Sequence, residues 1–335
     1  MSMSTMHSMS RHALSALVSL GRRRHLPYCY SITSSGGAHC TMTRSAPWAV
    51  AHSSTSAFVK RLPEDTWDSH MHVVEPKKYP LASSATYIPD AHTLEEALLF
   101  ESSVGMRNIV LVQPSIYGSD NSLILDVLRK LGPDRARGVV QFESSIDKKT
   151  LDDWHTWGVR GVRLNVHSTG QEVDLDEFAA HLKTHANIIR PYGWVLEAFI
   201  SLSMLTHLEA TIRDLGVPFC IAHFGMPKAG KQITDIYDIP GYASLIRLIE
   251  GGDTWVKFSG DYRVGVSEQM LAAAAKEILR VRVDRAVFAT DWPHTRFAGL
   301  DVKPFMQRCL EWCEEFNCED AVFSSNAKVL WGVER

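Results

Sequence analysis

The chain has 335 residues, of which 45% are hydrophobic and 22% charged, with a formal net charge of −3. This is an ordinary globular composition with ample length for a large core. The near-neutral balance gives no global attraction to nucleic acid or anionic membrane, and no apolar run is long enough to predict a transmembrane helix.

The first sixty residues differ from the rest. From Met1 to Leu62 there is no Asp or Glu, and Arg11, Arg22, Arg23, Arg24 and Arg44 sit among many Ser, Thr and Met. Residues 10–20 can form a short amphipathic helix with Leu14, Leu17 and Val18 on one side. An Arg-rich, Ser-rich, acid-free leader has the signature of an organelle transit peptide, and the expected location is mitochondrial, with cytoplasmic as the alternative if the stretch is an unstructured tail or is not translated. Residues 1–60 are therefore set apart from a domain at 61–335. The six cysteines (Cys29, Cys40, Cys220, Cys309, Cys313 and Cys318) form no CxxC pair and read as reduced thiols of an intracellular protein.

The remaining chain alternates. A strand at Trp67–Val73 leads into a loop punctuated by Pro76, Pro80 and Pro89. Thr93, with Glu96 as capping-box partner, opens a helix to Val104. Strands follow at Asn108–Gln113, Arg137–Phe142, Gly161–Val166, Trp194–Phe199, Pro218–Phe224, Trp255–Ser259 and Ala286–Asp291. Helices are expected at 121–131, 147–157, 174–190, 203–215, 241–250 and 267–279, with 302–316 and 319–330 closing the chain. Near-continuous apolar strands are buried on both faces, as in a parallel sheet wrapped by helices. Eight such units predict a (β/α)8 TIM barrel. An open doubly wound sheet is the runner-up, but it usually shows a Gly-rich turn after the first strand, where this chain has His-Met-His-Val-Val-Glu-Pro.

A barrel carries its active site at the C-terminal ends of its strands. The first strand ends with His70 and His72, which project to one face because strand side chains alternate. The second offers Gln113, with Ser115 and Tyr117 behind it. The fourth offers Arg163 and Asn165, the fifth Glu197 and the sixth His223. The seventh offers Lys257 and Ser259, with Arg263 just beyond, and the eighth Asp291, with His294 close behind. Polar groups at the ends of apolar strands need partners or solvent, so their convergence on one face points to chemistry. Glu197 reads as a buried partner for an Arg. His167, His181, His185 and His207 lie on or near helices and read as surface or packing residues.

The segments Asp68-Ser-His-Met-His72, Gly161-Val-Arg-Leu-Asn165, Ile221-Ala-His-Phe-Gly225 and Ala289-Thr-Asp-Trp-Pro-His294 resemble the amidohydrolase superfamily. The resemblance runs over about residues 64–333, ending in Asn326-Ala-Lys-Val-Leu-Trp-Gly332. The chain looks most like the metal-independent 2-pyrone-4,6-dicarboxylate lactonase group of the amidohydrolase-related family.

That resemblance implies a hydrolase opening a small carboxylated lactone in aromatic-compound breakdown. Asp291 takes a proton from water and directs the resulting hydroxide at the carbonyl carbon. His70, His72 and His223 surround the developing oxyanion, and Arg163 and Arg263 hold substrate carboxylates. Gln113, Ser115 and Tyr117 complete the pocket.

No cofactor is expected on this reading. The alternative is zinc on His70, His72 and Asp291, as in family members that add a His or carboxylated Lys from strand four or five. Here strand four supplies Arg163, which repels a divalent cation, and strand five reads Val-Leu-Glu-Ala-Phe. Pyrone dicarboxylate lactonases carry a further basic residue after the strand-four Arg-x-Asn. In this chain that loop, Val166-His-Ser-Thr-Gly170, has no Lys or Arg, which leaves a lactone with one acid group open as substrate. A zinc-dependent hydrolase or decarboxylase of the same superfamily, a non-catalytic small-molecule binding barrel and a structural partner of an organelle complex are the rival readings.

Overall fold

The computed structural model describes residues 59–166 and 173–333. Eight strands, β1 (Trp67–Met71), β2 (Asn108–Val112), β3 (Ala136–Val140), β4 (Val159–Asn165), β5 (Val195–Phe199), β6 (Phe219–Ile221), β7 (Thr254–Phe258) and β8 (Ala286–Phe288), pair in sequence order. Every neighbouring pair from β1 to β8 is parallel. Helices α1 (Leu94–Val104), α2 (Ser122–Leu131), α3 (Lys148–Thr156), α4 (Leu175–Ile189), α5 (Leu205–Arg213), α6 (Tyr242–Gly251), α7 (Glu268–Val281), α8 (Lys303–Glu314) and α9 (Asn326–Leu330) wrap the sheet. The fold is a (β/α)8 barrel.

Helix starts follow the local chemistry. The Thr93 hydroxyl accepts from the Glu96 amide at 3.2 Å, and the Glu96 carboxylate accepts from the Thr93 amide at 2.8 Å. The side chains of Asp147, Asp174 and Ser267 accept first-turn amides at the starts of α3, α4 and α7. The strand pleat sorts side chains into two cores. Val110, Val139, Val195, Trp255 and Val287 point inward onto Trp331, whose indole plugs the barrel floor. The alternate residues Leu111, Val140, Leu196, Ile221 and Val256 face the helices.

Seven of the eight strands stop short of the expected end, by one or two residues in β1, β2, β3, β4 and β7 and by three in β6 and β8. β6 ends at Ile221 and β8 at Phe288, because His223 (φ 53°), Phe224 (φ 55°) and Asp291 (φ 61°) occupy the left-handed region, which no strand continues through. The last predicted helix is interrupted by a π turn at Ala321–Ser325 before α9.

The barrel closes at the β1–β8 seam. The Asp291 amide donates to the His70 carbonyl at 2.9 Å, and the His72 amide to the Trp292 carbonyl at 2.8 Å. Below them the fully buried Asp68 carboxylate accepts from the amides of His70 at 2.9 Å and Thr290 at 3.0 Å, and from the Thr290 hydroxyl. Glu101 of α1 is also buried, and among the described residues neither of its oxygens has a hydrogen-bond partner other than through Asp68. With three donors already on Asp68, the shared proton belongs on Glu101, whose carboxyl is pushed well above the usual range by burial and by the neighbouring Asp68 charge.

A raised folded-state value stabilises the protein below the unfolded value, and that stability is lost as pH rises through the folded one. Melting temperature is therefore expected to fall as pH rises above the ordinary carboxylate range, and Glu101→Gln to flatten that fall. Thermal denaturation of both proteins across that rise in pH checks it, and an equally steep fall in Glu101→Gln would contradict the assignment.

Candidate active site

The strand ends converge as the sequence predicted, but with a definite layering. A cavity of about 520 Å³ opens at the C-terminal end of the barrel, walled by His72, Arg163, His223, Arg263 and Asp291, with Ser115, Asn165, Phe199 and Tyr262 around them. Asp291 is 2% exposed and sits at the centre. Its Oδ1 lies 3.7 Å from His70 Nε2, 3.8 Å from His72 Nε2 and 3.7 Å from His223 Nε2. Each gap exceeds hydrogen-bond length. Its Oδ2 accepts from the Tyr262 hydroxyl at 2.6 Å and from Arg263 Nε at 2.7 Å.

Burial by itself would raise the Asp291 carboxyl. The surrounding His223, Arg263 and His72 and the Tyr262 hydroxyl outweigh burial and hold it well below the usual carboxylate range. His223 is itself neutral at pH 7, so the lasting pull comes from the permanent Arg263 charge and the Tyr262 donor. Burial pushes His223 down to about 3 and, with Arg163 beside it, His72 down to about 4. His70 is driven well below its ordinary value by burial and by Lys257. At neutral pH the site is thus an ionised carboxylate facing three neutral imidazoles.

The imidazoles are not equivalent. His72 Nδ1 lies 2.7 Å from the Val112 carbonyl, which only accepts, so the proton is on Nδ1 and Nε2 keeps a lone pair. His72 therefore does not donate to an oxyanion in its neutral form, contrary to the expectation for all three. His70 is fully buried and lies beneath the cavity wall, against His72 at 3.3 Å, rather than on it. His223 Nδ1 pairs with the Ser259 hydroxyl at 2.8 Å. With that hydroxyl as donor, the His223 proton is on Nε2 and faces Asp291. Gly260 (φ 65°) makes room for this imidazole: a Cβ there would stand 2.9 Å from His223 Nδ1.

Three predicted pocket residues are placed otherwise. The Gln113 side-chain amide donates to the carbonyls of Gly118 and Asp120, and its backbone carbonyl accepts from Arg163 Nη1 at 2.9 Å, so it shapes the β2–α2 loop and steadies Arg163. The Tyr117 hydroxyl accepts from the Glu75 amide, and neither Gln113 nor Tyr117 borders the cavity. Arg263 borders the cavity, but its guanidinium is already engaged with Asp291.

Glu197 is a partner for Arg163, at 3.6 Å, and also for Lys257, at 2.5 Å. His294 bonds to the Thr290 carbonyl, and His185 to the carbonyls of His181 and Phe142. His167 lies outside the described residues.

Sequence reasoning missed Tyr262 and Arg296. Tyr262 adjoins Arg263 in the segment Gly260-Asp-Tyr-Arg263, a signal that a second donor follows the same turn. Arg296 borders the cavity from the loop after Asp291, stacked on Tyr87 with its guanidinium carbon 4.6 Å from the ring centroid. Among the described residues it pairs with no carboxylate. For a metal, His70, His223 and Asp291 bring ligand-type atoms within 4.8 Å of one another.

The sequence profile of the family described as Amidohydrolase matches residues 67–331, and the chain belongs to that family. It is 28% identical over 249 residues to the 4-sulfomuconolactone hydrolase of Hydrogenophaga intermedia, covering 72% of this chain and 78% of that one. It is 27% identical over 248 residues to the 2-pyrone-4,6-dicarboxylate hydrolase of Comamonas testosteroni, covering 70% and 78%. A solved structure from Pseudomonas putida, described as a candidate 2-pyrone-4,6-dicarboxylic acid hydrolase, superposes with a TM-score of 0.69 at 29% identity, covering 82% of this chain and 100% of that one.

These relatives are bacterial, and bacteria have no mitochondria. That finding overturns the transit-peptide and mitochondrial expectation. Residues 1–58, which carried it, lie outside the described residues. Among the described residues no helix is long and apolar enough to cross a membrane.

Gly260→Ala is expected to cost about 1–2 kcal/mol for the left-handed backbone alone and to displace the His223 ring. Urea denaturation measures the first effect, and a stability equal to that of the parent would contradict the close approach.

Proposed function

We propose that this amidohydrolase-family chain opens a small anionic lactone by Asp291-directed attack of water on the ester carbonyl, without a metal. The observation that carries this reading is the division of labour on Asp291. One oxygen is fixed by Tyr262 and Arg263, and the other is left facing three imidazole nitrogens at a spacing that suits a shared reactant oxygen. The relatives support the lactone class, since both names describe a lactone carrying acid groups.

Asp291 Oδ1 takes a proton from water as the water oxygen bonds to the carbonyl carbon, and the carbonyl π pair moves to its oxygen. His223 Nε2–H donates to that oxyanion in a buried setting, where a preorganised donor is most effective. Collapse of the tetrahedral intermediate breaks the ring C–O bond, and Asp291 returns its proton to the leaving oxygen. Water is added and the ring is opened. His70 and His72 pack beside the carboxylate, at 3.7 and 3.8 Å, without hydrogen-bonding to it. Arg163, 4% exposed and bordering the cavity, takes one acid group of the substrate. Arg296 takes a second from the rim, which answers the missing basic residue after β4.

A divalent cation does not suit this donor set. Three cations (Lys257, Arg163 and Arg263) already surround the two carboxylates Glu197 and Asp291, and a further double charge meets a net positive field.

Replacing the base by Asp291→Asn is expected to lower kcat on 2-pyrone-4,6-dicarboxylate about 10²-fold or more, and a wild-type rate would sink the mechanism. Arg163→Met and Arg296→Met should each raise KM about tenfold or more, the scale of one charge-assisted hydrogen bond, with kcat less affected. An unchanged KM in either variant removes that residue from substrate binding. With His72 near 4, His223 near 3 and Asp291 lower still, kcat/KM is expected to be flat from pH 5 to 8 and to fall only as His72 gains its proton below that. A rate profile with an ionisation between pH 6 and 7 would contradict this.

A further inference from the structure

Beneath the cavity lies an ion pair that the hydrolysis does not touch. Lys257 of β7 and Glu197 of β5 are both fully buried. The ammonium donates to Glu197 Oε2 at 2.5 Å and to His70 Nδ1 at 3.2 Å, and it stands 4.9 Å from the centroid of the Trp331 ring. An ammonium has only protons to offer, so His70 Nδ1 is the acceptor and the proton of neutral His70 is on Nε2.

The next junctions agree. His70 Nε2–H faces the His72 Nε2 lone pair at 3.3 Å, and His72 Nδ1–H faces the Val112 carbonyl at 2.7 Å. From Glu197 through Lys257, His70 and His72 to Val112, every contact joins one donor to one acceptor. The other His70 tautomer would set an N–H against the ammonium and two lone pairs against each other.

Glu197 gives this arrangement a second meaning. A histidine that ligates a metal nearly always donates its other N–H to a carboxylate, which leaves the ligating nitrogen its lone pair. Glu197 Oε1 stands 3.4 Å from His70 Nδ1, close to where such a carboxylate belongs, yet among the described residues it has no hydrogen-bond partner. Lys257 takes the place of that interaction. We propose that Lys257 is a positioning residue that fixes His70 as the Nε2–H tautomer, so that the His70–His72–Asp291 cluster presents a proton where a divalent cation needs a lone pair.

The inference concerns proton placement and holds whichever lactone is cleaved, so its decisive readouts use no substrate. Long-range proton–nitrogen NMR of ¹⁵N-histidine-labelled protein, with His70 assigned by loss of its signals in His70→Gln, is expected to show protonated Nε2 and bare Nδ1. A proton on Nδ1 in the wild type overturns the proposal outright.

In Lys257→Met the proton should move to Nδ1, onto Glu197. That variant should retain about one zinc per chain after gel filtration, while the wild type retains none. Stoichiometric zinc in the wild type, or an unmoved proton in the variant, overturns it. Should Lys257→Met not fold, Lys257→Gln supplies a neutral N–H at the same place. It is expected to keep Nε2 protonated, and a proton on Nδ1 there counts against the role. Because Lys257 does not border the cavity, its removal should leave KM within about threefold. A change in KM alone contradicts a positioning role.

Discussion

The hydrogen bonds that Tyr262 and Arg263 donate to one oxygen of Asp291 are the constraint on which the rest of the site depends. They keep the carboxylate ionised in a buried place, aim its other oxygen into the barrel and commit a guanidinium that otherwise reads as a substrate anchor. The backbone cooperates. Asp291 adopts a left-handed conformation, which Asp tolerates better than most residues, and its amide ties β8 to the His70 carbonyl of β1. The bond that closes the barrel is thus also the one that sets the carboxylate beside the imidazoles. Asp68, one layer below, braces the same seam with three accepted hydrogen bonds.

Burying Lys257, Glu197, Arg163 and Asp291 in one barrel is expensive, since each ion leaves water and mutual attraction repays this only with good geometry. The arrangement reduces that cost by alternating charge upward from the Trp331 plug: ammonium, carboxylate, guanidinium, then the Asp291 carboxylate flanked by Arg263. An apolar filling would stabilise the barrel as well or better. What the ions supply is a fixed set of proton positions, with donors and acceptors sorted before a substrate arrives, which is the property an acyl-transfer site needs.

The barrel was legible because its strands are apolar runs with polar ends, and because the caps at Thr93, Asp147, Asp174 and Ser267 mark where helices start. The site was legible as residue types at those ends. Orientation was not. His223 and Asp291 lie beyond their strands in left-handed backbone, so period-two alternation does not describe them. Gln113 and Tyr117 occupy the right loop, but loop amides and carbonyls nearer in space claim their side chains.

The difference between His72, which donates to Val112, and His223, which faces Ser259, is set by contacts across 40 and 36 residues of sequence, beyond the reach of spacing. Lys257 inside Thr254-Trp-Val-Lys-Phe258 was a visible anomaly, a charge within a buried strand, but its partner on β5 was not. The acid-free leader led to a mitochondrial expectation because composition alone reports charge bias and not lineage.

The claim that carries most weight is that Asp291 and neutral imidazoles open an anionic lactone with no metal. It is tested most directly by stripping the protein with chelator and following loss of ring absorbance from 2-pyrone-4,6-dicarboxylate, and separately from 4-sulfomuconolactone. The account predicts turnover of at least one of them at a rate that neither chelator nor added zinc changes. Turnover that appears only when zinc is restored would contradict it.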